Sequence, residues 1–414
     1  ICTDTEGGAL IAWEGYSPDL NVKAHIARIT PNGDVPWFVE ITDGVNDEYV
    51  RGIIPDGEGG AVVYWKSGSF MWGFDLFAAR IDGDGNVLWF VPVCEAAEDE
   101  SYFKGMILSD GNLLFNWQDY RFADDHNLYA QKIDISNGDP LWTMNGISIC
   151  SETGDQQPND MKEDSQGNVY ILWQDSRETY SNNDIYLQKI DSVTGDPLFL
   201  ASGIPVSVHS SGDQWHGKIL VDENDGVQVA WEDMRSTLGS DIYASHLDAN
   251  GDLVEGWIDN GDAVCTYFNR QISPLIVDDY FDGVVAVWED GRSSGKSEIL
   301  NLYMQHWNPD ELSVSNDENL LPDKSELQQN YPNPFNNETV IDFALRKAGR
   351  VKLSVYNSLG QEVVILADKD MTLGAKQITW DGRNGSNEFV STGLYFYRLE
   401  FDGEMKVMKM IMVK

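Results

Sequence analysis

Cysteine, histidine and positive charge are all scarce in this chain of 414 residues. Four cysteines cannot build the dense disulfide frameworks on which small secreted domains rely, and a large core does not need them. Six histidines include no i, i+4 pair around a glutamate, which excludes a zinc-protease helix. Lysine and arginine number 28 against 68 acidic residues, a net charge of −40. That balance excludes nucleic acid, whose phosphates demand basic surfaces, and anionic membrane surfaces. It suits a self-repelling extracellular protein or one that meets cations. No apolar run reaches the ~18–20 residues of a membrane-spanning helix. There is no initiator methionine and no charged-then-apolar leader, so the chain is expected to begin partway through a longer precursor.

Aromatic residues are plentiful, with Trp 14, Tyr 17 and Phe 16, and many recur on one rhythm. Six apolar runs end in tryptophan: "GGALIAW", "GGAVVYW", "GNLLFNW", "GNVYILW", "DGVQVAW" and "DGVVAVW". The tryptophans, Trp13, Trp65, Trp117, Trp173, Trp231 and Trp288, are spaced by 52, 52, 56, 58 and 57 residues. A second strand follows most of them ("HIARIT", "FAARID", "YAQKID", "YLQKID", "YASHLD", "YMQHWN"), then a Gly/Asn/Asp turn such as "GDGN" or "SNGD". Such turns supply the positive-φ positions that tight hairpins require. A looser strand, a polar bend such as "GDQW" (212–215) and a fourth strand complete the period. Four short strands per ~50 residues is the pattern of a propeller blade. The expected fold is all-β: a six-bladed β-propeller over 1–309, a linker over 310–329 and a small immunoglobulin-like β-sandwich over 330–414. "ICTD" aligns with an inner strand and the last repeat stops after "LYMQHWN". Ring closure is therefore expected to use residues upstream of Ile1, or to leave the sixth blade one strand short.

Within the repeats, "WQDYR", "WQDSR", "WEDMR" and "WEDGR" place Asp119, Arg121, Asp175, Arg177, Asp233, Arg235, Asp290 and Arg292 on one set of loops. A functional site is usually unique, whereas this motif occurs four times. The expectation is a structural staple: Asp accepts backbone N–H groups of its own loop, and Arg pairs with it or with nearby carbonyls. Repeats one and two lack the motif ("WEGYS", "WKSGS"), and a specific groove is expected there. Arg28, Arg80, Lys132, Lys189, His246 and His306 form a basic column that should partner carboxylates rather than metal. Cys94, Cys150 and Cys265 share one repeat position. Successive blades hold such positions further apart than the roughly 4.4–6.8 Å a disulfide spans. All four cysteines, Cys2 included, are expected to be buried free thiols.

Signals for chemistry are thin. "DGDGN" offers Asp82, Asp84 and Asn86 as a weak Ca²⁺ candidate, but the later bidentate Glu is missing and a hairpin turn is the favoured reading. No nucleophile elbow, phosphate-cradling loop or Cys/His pair is present. Trp215 and His216 in an inter-blade loop, with Trp72 and Asp75 on an irregular blade, are the candidate ligand-binding residues. The stretch "DISNGDPLW" (134–142) resembles the tryptophan-docking turns of quinone-dependent dehydrogenase propellers. Without a cofactor-site signature, the likeness is expected to reflect shared hairpin geometry, and no cofactor is expected. The repeats as a whole resemble poorly characterised propeller-like repeats of secreted bacterial proteins.

After Trp307 the texture changes. Residues 311–414 hold 12 basic and 15 acidic residues, so the preceding part carries 16 against 53, a net of −37. "YPNPFN" (331–336), "VYNSLGQEV" (355–363), "WDGRNGSNEFVSTGLYFYRL" (380–399) and the ending "KMIMVK" closely resemble the C-terminal sorting domain of type IX secretion substrates of Bacteroidota. The matching residues are Tyr331, Pro332, Asn333, Pro334, Phe335, Gly360, Trp380, Gly382, Gly393, Tyr395 and Lys414. One departure is "NPFNNET", where family members commonly carry proline before the acid or threonine. The resemblance implies export across the outer membrane, recognition by the translocon and shuttle proteins, and often cleavage with attachment to a surface lipid. Two functions fit: a noncatalytic binding or scaffold module meeting an extracellular protein or glycan, and, as the alternative, a secreted polysaccharide hydrolase or lyase.

Overall fold

The computed structural model describes residues 1–17, 21–42, 46–69, 73–96, 98, 100–121, 125–179, 182–236, 239–267, 269–279, 283–291, 301–307, 326–327, 329–330, 332–336, 338–345, 347–371 and 374–413. Every regular element among them is a strand. Six antiparallel meanders follow one another. Sheet 1 runs from Cys2–Thr3 to Phe38–Ile41, sheet 2 from Asp47–Pro55 to Val87–Cys94, and sheet 3 from Glu100–Ile107 to Ile147–Cys150. Sheet 4 runs from Gln156–Glu163 to Ile204–Ser207, and sheet 5 from Gln214–Val221 to Asp262–Cys265. Sheet 6 has three strands among the described residues, Gln271–Asp278, Val284–Asp290 and Asn301–Trp307.

The chain divides into two compact units, residues 1–229 with 246–253 and residues 230–245 with 254–414. The division falls inside sheet 5 rather than at 309, where the composition changes. In the first unit, sheets 1 to 4 are joined by continuous apolar interfaces. Trp65 and Val63 pack on Leu10, Ala24 and Ile26 of sheet 1. Phe115 and Trp117 pack on sheet 2, and Ile171 and Trp173 on sheet 3. The second-strand tryptophan thus faces the sheet before it. Trp65, Trp117 and Trp173 are fully buried, whereas Trp13 of the first repeat is 36% exposed. The first strands of successive sheets lie side by side. Radially repeated meanders with adjacent inner strands and stacked faces are the packing of a β-propeller.

Polar fasteners repeat along these interfaces. Arg28 pairs with Asp4, Arg80 with Asp56, Lys132 with Asp110, Lys189 with Asp164, His246 with Asp222 and His306 with Asp279, at 2.6–3.0 Å. Four of the six reach on to a carbonyl in the next sheet's turn: Gly83, Ile135, Ser192 and Ala249. Tryptophans near the fourth strands dock on the same turns. The indole N–H of Trp37 donates to Gly83 O (2.8 Å), that of Trp89 to Ile135 O (2.9 Å) and that of Trp142 to Val193 O (3.2 Å). Gly138, at φ +81, lies under Trp89, where an added Cβ would stand 3.1 Å from the ring.

The C-terminal module belongs to the second unit. A three-stranded sheet (Glu326–Leu327, Thr339–Leu345, Gly374–Trp380) faces a four-stranded one (Glu362–Met371, Gly349–Asn357, Gly393–Phe401, Glu404–Met412). One core of Phe335, Ile341, Phe343, Leu353, Trp380, Tyr397, Met410 and others fills the sandwich. Glu326 and Leu327, in the stretch read as linker, pair with Ala344 and Phe343. Leu327 is buried in the core, and its apolar burial draws that strand into the sandwich.

Candidate functional site

Each repeated Trp-x-Asp lies in the second strand of its sheet, at its end in sheets 3, 5 and 6, and alternation along a strand aims Trp and Asp to the same side. The carboxylate therefore lands beside its own indole. Trp117 Nε1–H donates to Asp119 Oδ2 (2.8 Å), and the equivalents at Asp175, Asp233 and Asp290 measure 2.7, 2.9 and 2.9 Å. The Arg backbone N–H donates to the other carboxylate oxygen at 3.0, 2.8 and 2.9 Å in sheets 3, 4 and 5. In each, the guanidinium forms an ion pair with the Asp at 2.6 Å. It also donates to a bend carbonyl, Asn145 O, Ser202 O or Asn260 O, and stacks 3.9–4.0 Å over Tyr129, Tyr186 or Tyr243. The four Asp residues are fully buried, and Arg292 lies outside the described residues. Gly203, at φ +77, seats the tip of Trp173, where a Cβ would come within 2.2 Å.

Two members of this box escape sequence reasoning. One is the stacked tyrosine, whose signal is its place in the repeated "D-I-Y" ("N-L-Y" at 127–129) directly across the ladder from Trp (Trp117↔Tyr129, Trp173↔Tyr186). The other is the thiol: Arg121 Nη2 lies 3.5 Å from Cys94 Sγ and Arg177 Nη2 3.1 Å from Cys150 Sγ. All four cysteines are free, and three of them stand at one position of successive sheets. Only Cys94 and Cys150 are buried; Cys2, on the two-residue strand Cys2–Thr3, and Cys265, at the end of the short fourth strand of sheet 5, are half-buried. Burial holds Cys150 up at about 12 and raises Cys94 as well, helped by the Glu100 charge. In repeat two, Ser67 stands where the Asp would be, and the buried Trp65 Nε1–H has no partner among the described residues.

Sheets 2 and 3 meet at an acidic corner. Cys94, Glu100 and Asp119 bring ligand-type atoms within 4.8 Å of one another. The cation this set would need is already supplied by the Arg121 guanidinium on Asp119 and Cys94. Burial, then the charges of Asp119 and Asp75, push Glu100 up to about 9. In "DGDGN", Asp82 Oδ1 accepts from the N–H groups of Asp84 and Asn86 (3.0 and 2.8 Å) and its Oδ2 from the Asn86 amide. Its carboxylate thus closes its own turn.

The four candidate ligand residues are not brought together. Trp72 lies outside the described residues. Asp75 sits on the third strand of sheet 2, raised by burial and by Glu95. Trp215 and His216 lie on the first strand of sheet 5, three sheets further on, rather than in a loop. Their rings meet edge to face at 6.2 Å. His216 has φ +54 and Tyr102, two residues into the first strand of sheet 3, has φ +52. Both rings are exposed. Register shifts at the matching place in sheets 2, 3, 4 and 6 mark a repeated β-bulge. A bulge re-aims side chains away from the pleat, and on the innermost strands it turns these aromatics out of the sheet interface.

In the C-terminal module the motif residues have definite places. Phe335 and Trp380 fill the core, their rings 5.5 Å apart. Trp380 Nε1–H donates to Arg383 O (2.8 Å) and the Tyr395 hydroxyl to Ser391 O (2.8 Å). Asn333 Oδ1 accepts from Ile411 N–H, and Phe335 exchanges backbone hydrogen bonds with Ile411 and Val413. Gly360 and Gly382 supply positive φ to their turns. Pro332 and Pro334 lead into this segment and Gly393 opens a strand, while Tyr331 and Lys414 lie outside the described residues. Residues 329–414 match the family model described as a secretion system C-terminal sorting domain. The tail is a type IX sorting domain. It directs the chain to the cell surface or the extracellular space. No helix among the described residues is long and apolar enough to cross a membrane.

Three solved structures are similar over most of the chain. The first is PorZ, an essential bacterial surface component of the type-IX secretion system of Porphyromonas gingivalis. It is 14% identical over 97% of this chain and 51% of that one, with a TM-score of 0.33. The chain thus spans about half the length of PorZ. An ulvan lyase is 10% identical over 90% of this chain and 91% of its own, at a TM-score of 0.45. The α-L-arabinofuranosidase of Fusarium graminearum is 12% identical over 75% and 92%, at 0.37. No curated protein matches the chain.

Proposed function

We propose that the type IX sorting domain exports a noncatalytic propeller that binds an extracellular protein or glycan. The observation supporting this reading is that the repeated acid–base residues are occupied by one another. Each carboxylate in the Trp-Asp-Arg boxes of sheets 3 to 5 is held by an indole, a guanidinium and a backbone N–H within its own sheet. A general acid or nucleophile must instead meet substrate. The boxes then act as staples, and recognition falls to unrepeated residues on the bulged inner strands, with Trp215 and His216 the first candidates. An aromatic face beside a polar ring is the usual surface for stacking a sugar.

The test is a glycan array and a protein-interaction screen on the full chain and on Trp215→Ala. Saturable binding to one glycan class, lost in the variant, supports the reading. Binding with breakdown of the glycan would replace it with the hydrolase or lyase alternative.

A further inference from the structure

Most basic residues described in the propeller pair with a carboxylate, and two that do not sit in one row. Lys104, Asp160 and Lys218 occupy the same repeat position, four residues after the Glu100, Gln156 and Gln214 that open the inner strands of sheets 3, 4 and 5. These three strands are neighbours within the first unit. They are clamped there: Asp160 Oδ2 accepts from Ile219 N–H (3.1 Å) and Asn159 Oδ1 from Gly217 N–H (2.6 Å), on either side of Lys218. Lys104 and Lys218 are half-buried, yet neither has an ion pair or hydrogen-bond partner among the described residues. Burial and the nearby Lys218 charge depress the Lys104 ammonium, with Asp160 opposing. Directly across the ladder from Lys104 stands Asn116. It is 0% exposed, and neither atom of its amide has a partner among the described residues.

A half-buried ammonium pair that shares the single carboxylate of Asp160 is costly unless a ligand supplies the second negative charge. Two ammoniums flank one carboxylate, leaving a single positive charge and an amide N–H donor. We propose that Lys104 and Lys218, with Asn116, bind the oxyanion of an acidic saccharide, a uronate carboxylate or a sulfate ester. The exposed rings of Tyr102 and His216 lie two residues before each lysine on the same strands, where they flank the sugar that carries the charge. This assignment rests on the binding-module reading and gives its ligand a chemical class.

The experiment is a thermal-shift titration of the full chain at constant ionic strength with glucuronate, glucose 6-sulfate and neutral glucose. Both or one of the anions should protect the wild type, which distinguishes the two sources of charge, and glucose should not. Lys104→Met and Lys218→Met should each weaken that protection about tenfold, the worth of one charge-assisted hydrogen bond. Lys104→Arg and Lys218→Arg, which keep the charge, should retain it. Lys162→Met, an exposed lysine on the inner strand of sheet 4, should not differ from wild type. Equal protection of wild type and the Lys104→Met/Lys218→Met double variant overturns the assignment, as does protection by neither anion. A silent glycan array alongside intact, lysine-dependent protection overturns only the glycan-binding reading. A hit on the array that survives both methionine variants overturns only the oxyanion site.

Discussion

Replacing Glu100 by glutamine should strip the propeller of much of its sensitivity to alkaline pH. Glu100 opens the inner strand of sheet 3 and is 0% exposed. Burial, and behind it Asp119 and Asp75, raise its pKa from 4.5 to about 9. The folded protein therefore keeps a proton that the unfolded chain has released. With the folded value above the unfolded one, stability is highest at low pH and falls as pH climbs from about 4.5 towards 9, by roughly 1.4 kcal/mol per unit for this group. At pH 7 the accumulated cost is about 3 kcal/mol. Sheets 4, 5 and 6 carry Gln156, Gln214 and Gln271 at the same position, each 0% exposed. There the amide donates to the carbonyl of Gly154, Gly212 or Asn269, two residues earlier. Glutamine at 100 has a ready geometry to copy. Urea unfolding followed between about pH 5 and pH 9 should show the two proteins nearly equal at the acid end and Glu100→Gln clearly more stable at the alkaline end. Parallel profiles, or a variant less stable at pH 8, would refute the reasoning.

Asp175→Ala leaves the Arg177 guanidinium and the Trp173 N–H without their carboxylate and should cost about 3–5 kcal/mol, read as a drop in the unfolding midpoint. Because the thiolate is the reactive species, the elevated Cys94 and Cys150 should resist a disulfide reagent in the native protein and react only on unfolding. A chelator should leave the melting temperature unchanged, since the Asp82 carboxylate is taken up by N–H donors of its own turn. A calcium-dependent rise would contradict that.

The propeller rhythm was legible because one apolar run with a terminal tryptophan recurs six times, and turn glycines punctuate it. The Asp–Arg spacing also announced a local pair, since i, i+2 residues on a strand share a face. What the spacing could not convey lies across strands: the tyrosine under each guanidinium and the thiol behind it come from the third and fourth strands. The setting of two candidate residues was hidden for a related reason: "GDQW" has the composition of a bend, whereas the strand begins at Gln214 and carries Trp215 and His216. The Lys104–Asp160–Lys218 row is invisible to any search for a repeated residue type, because the position alternates in sign. In the tail, the motif residues identify the module without help from packing, yet Leu327 joins its core from a stretch whose acidic, polar sequence reads as linker.

The claim that the boxes hold the fold while the inner strands bind is tested most directly by measuring thermal stability and glycan binding side by side for Asp175→Asn and Trp215→Ala. The account predicts that Asp175→Asn lowers the melting temperature and leaves affinity intact, and that Trp215→Ala abolishes binding with a smaller loss of stability. Loss of binding in a stable Asp175→Asn protein, with Trp215→Ala binding normally, would contradict it.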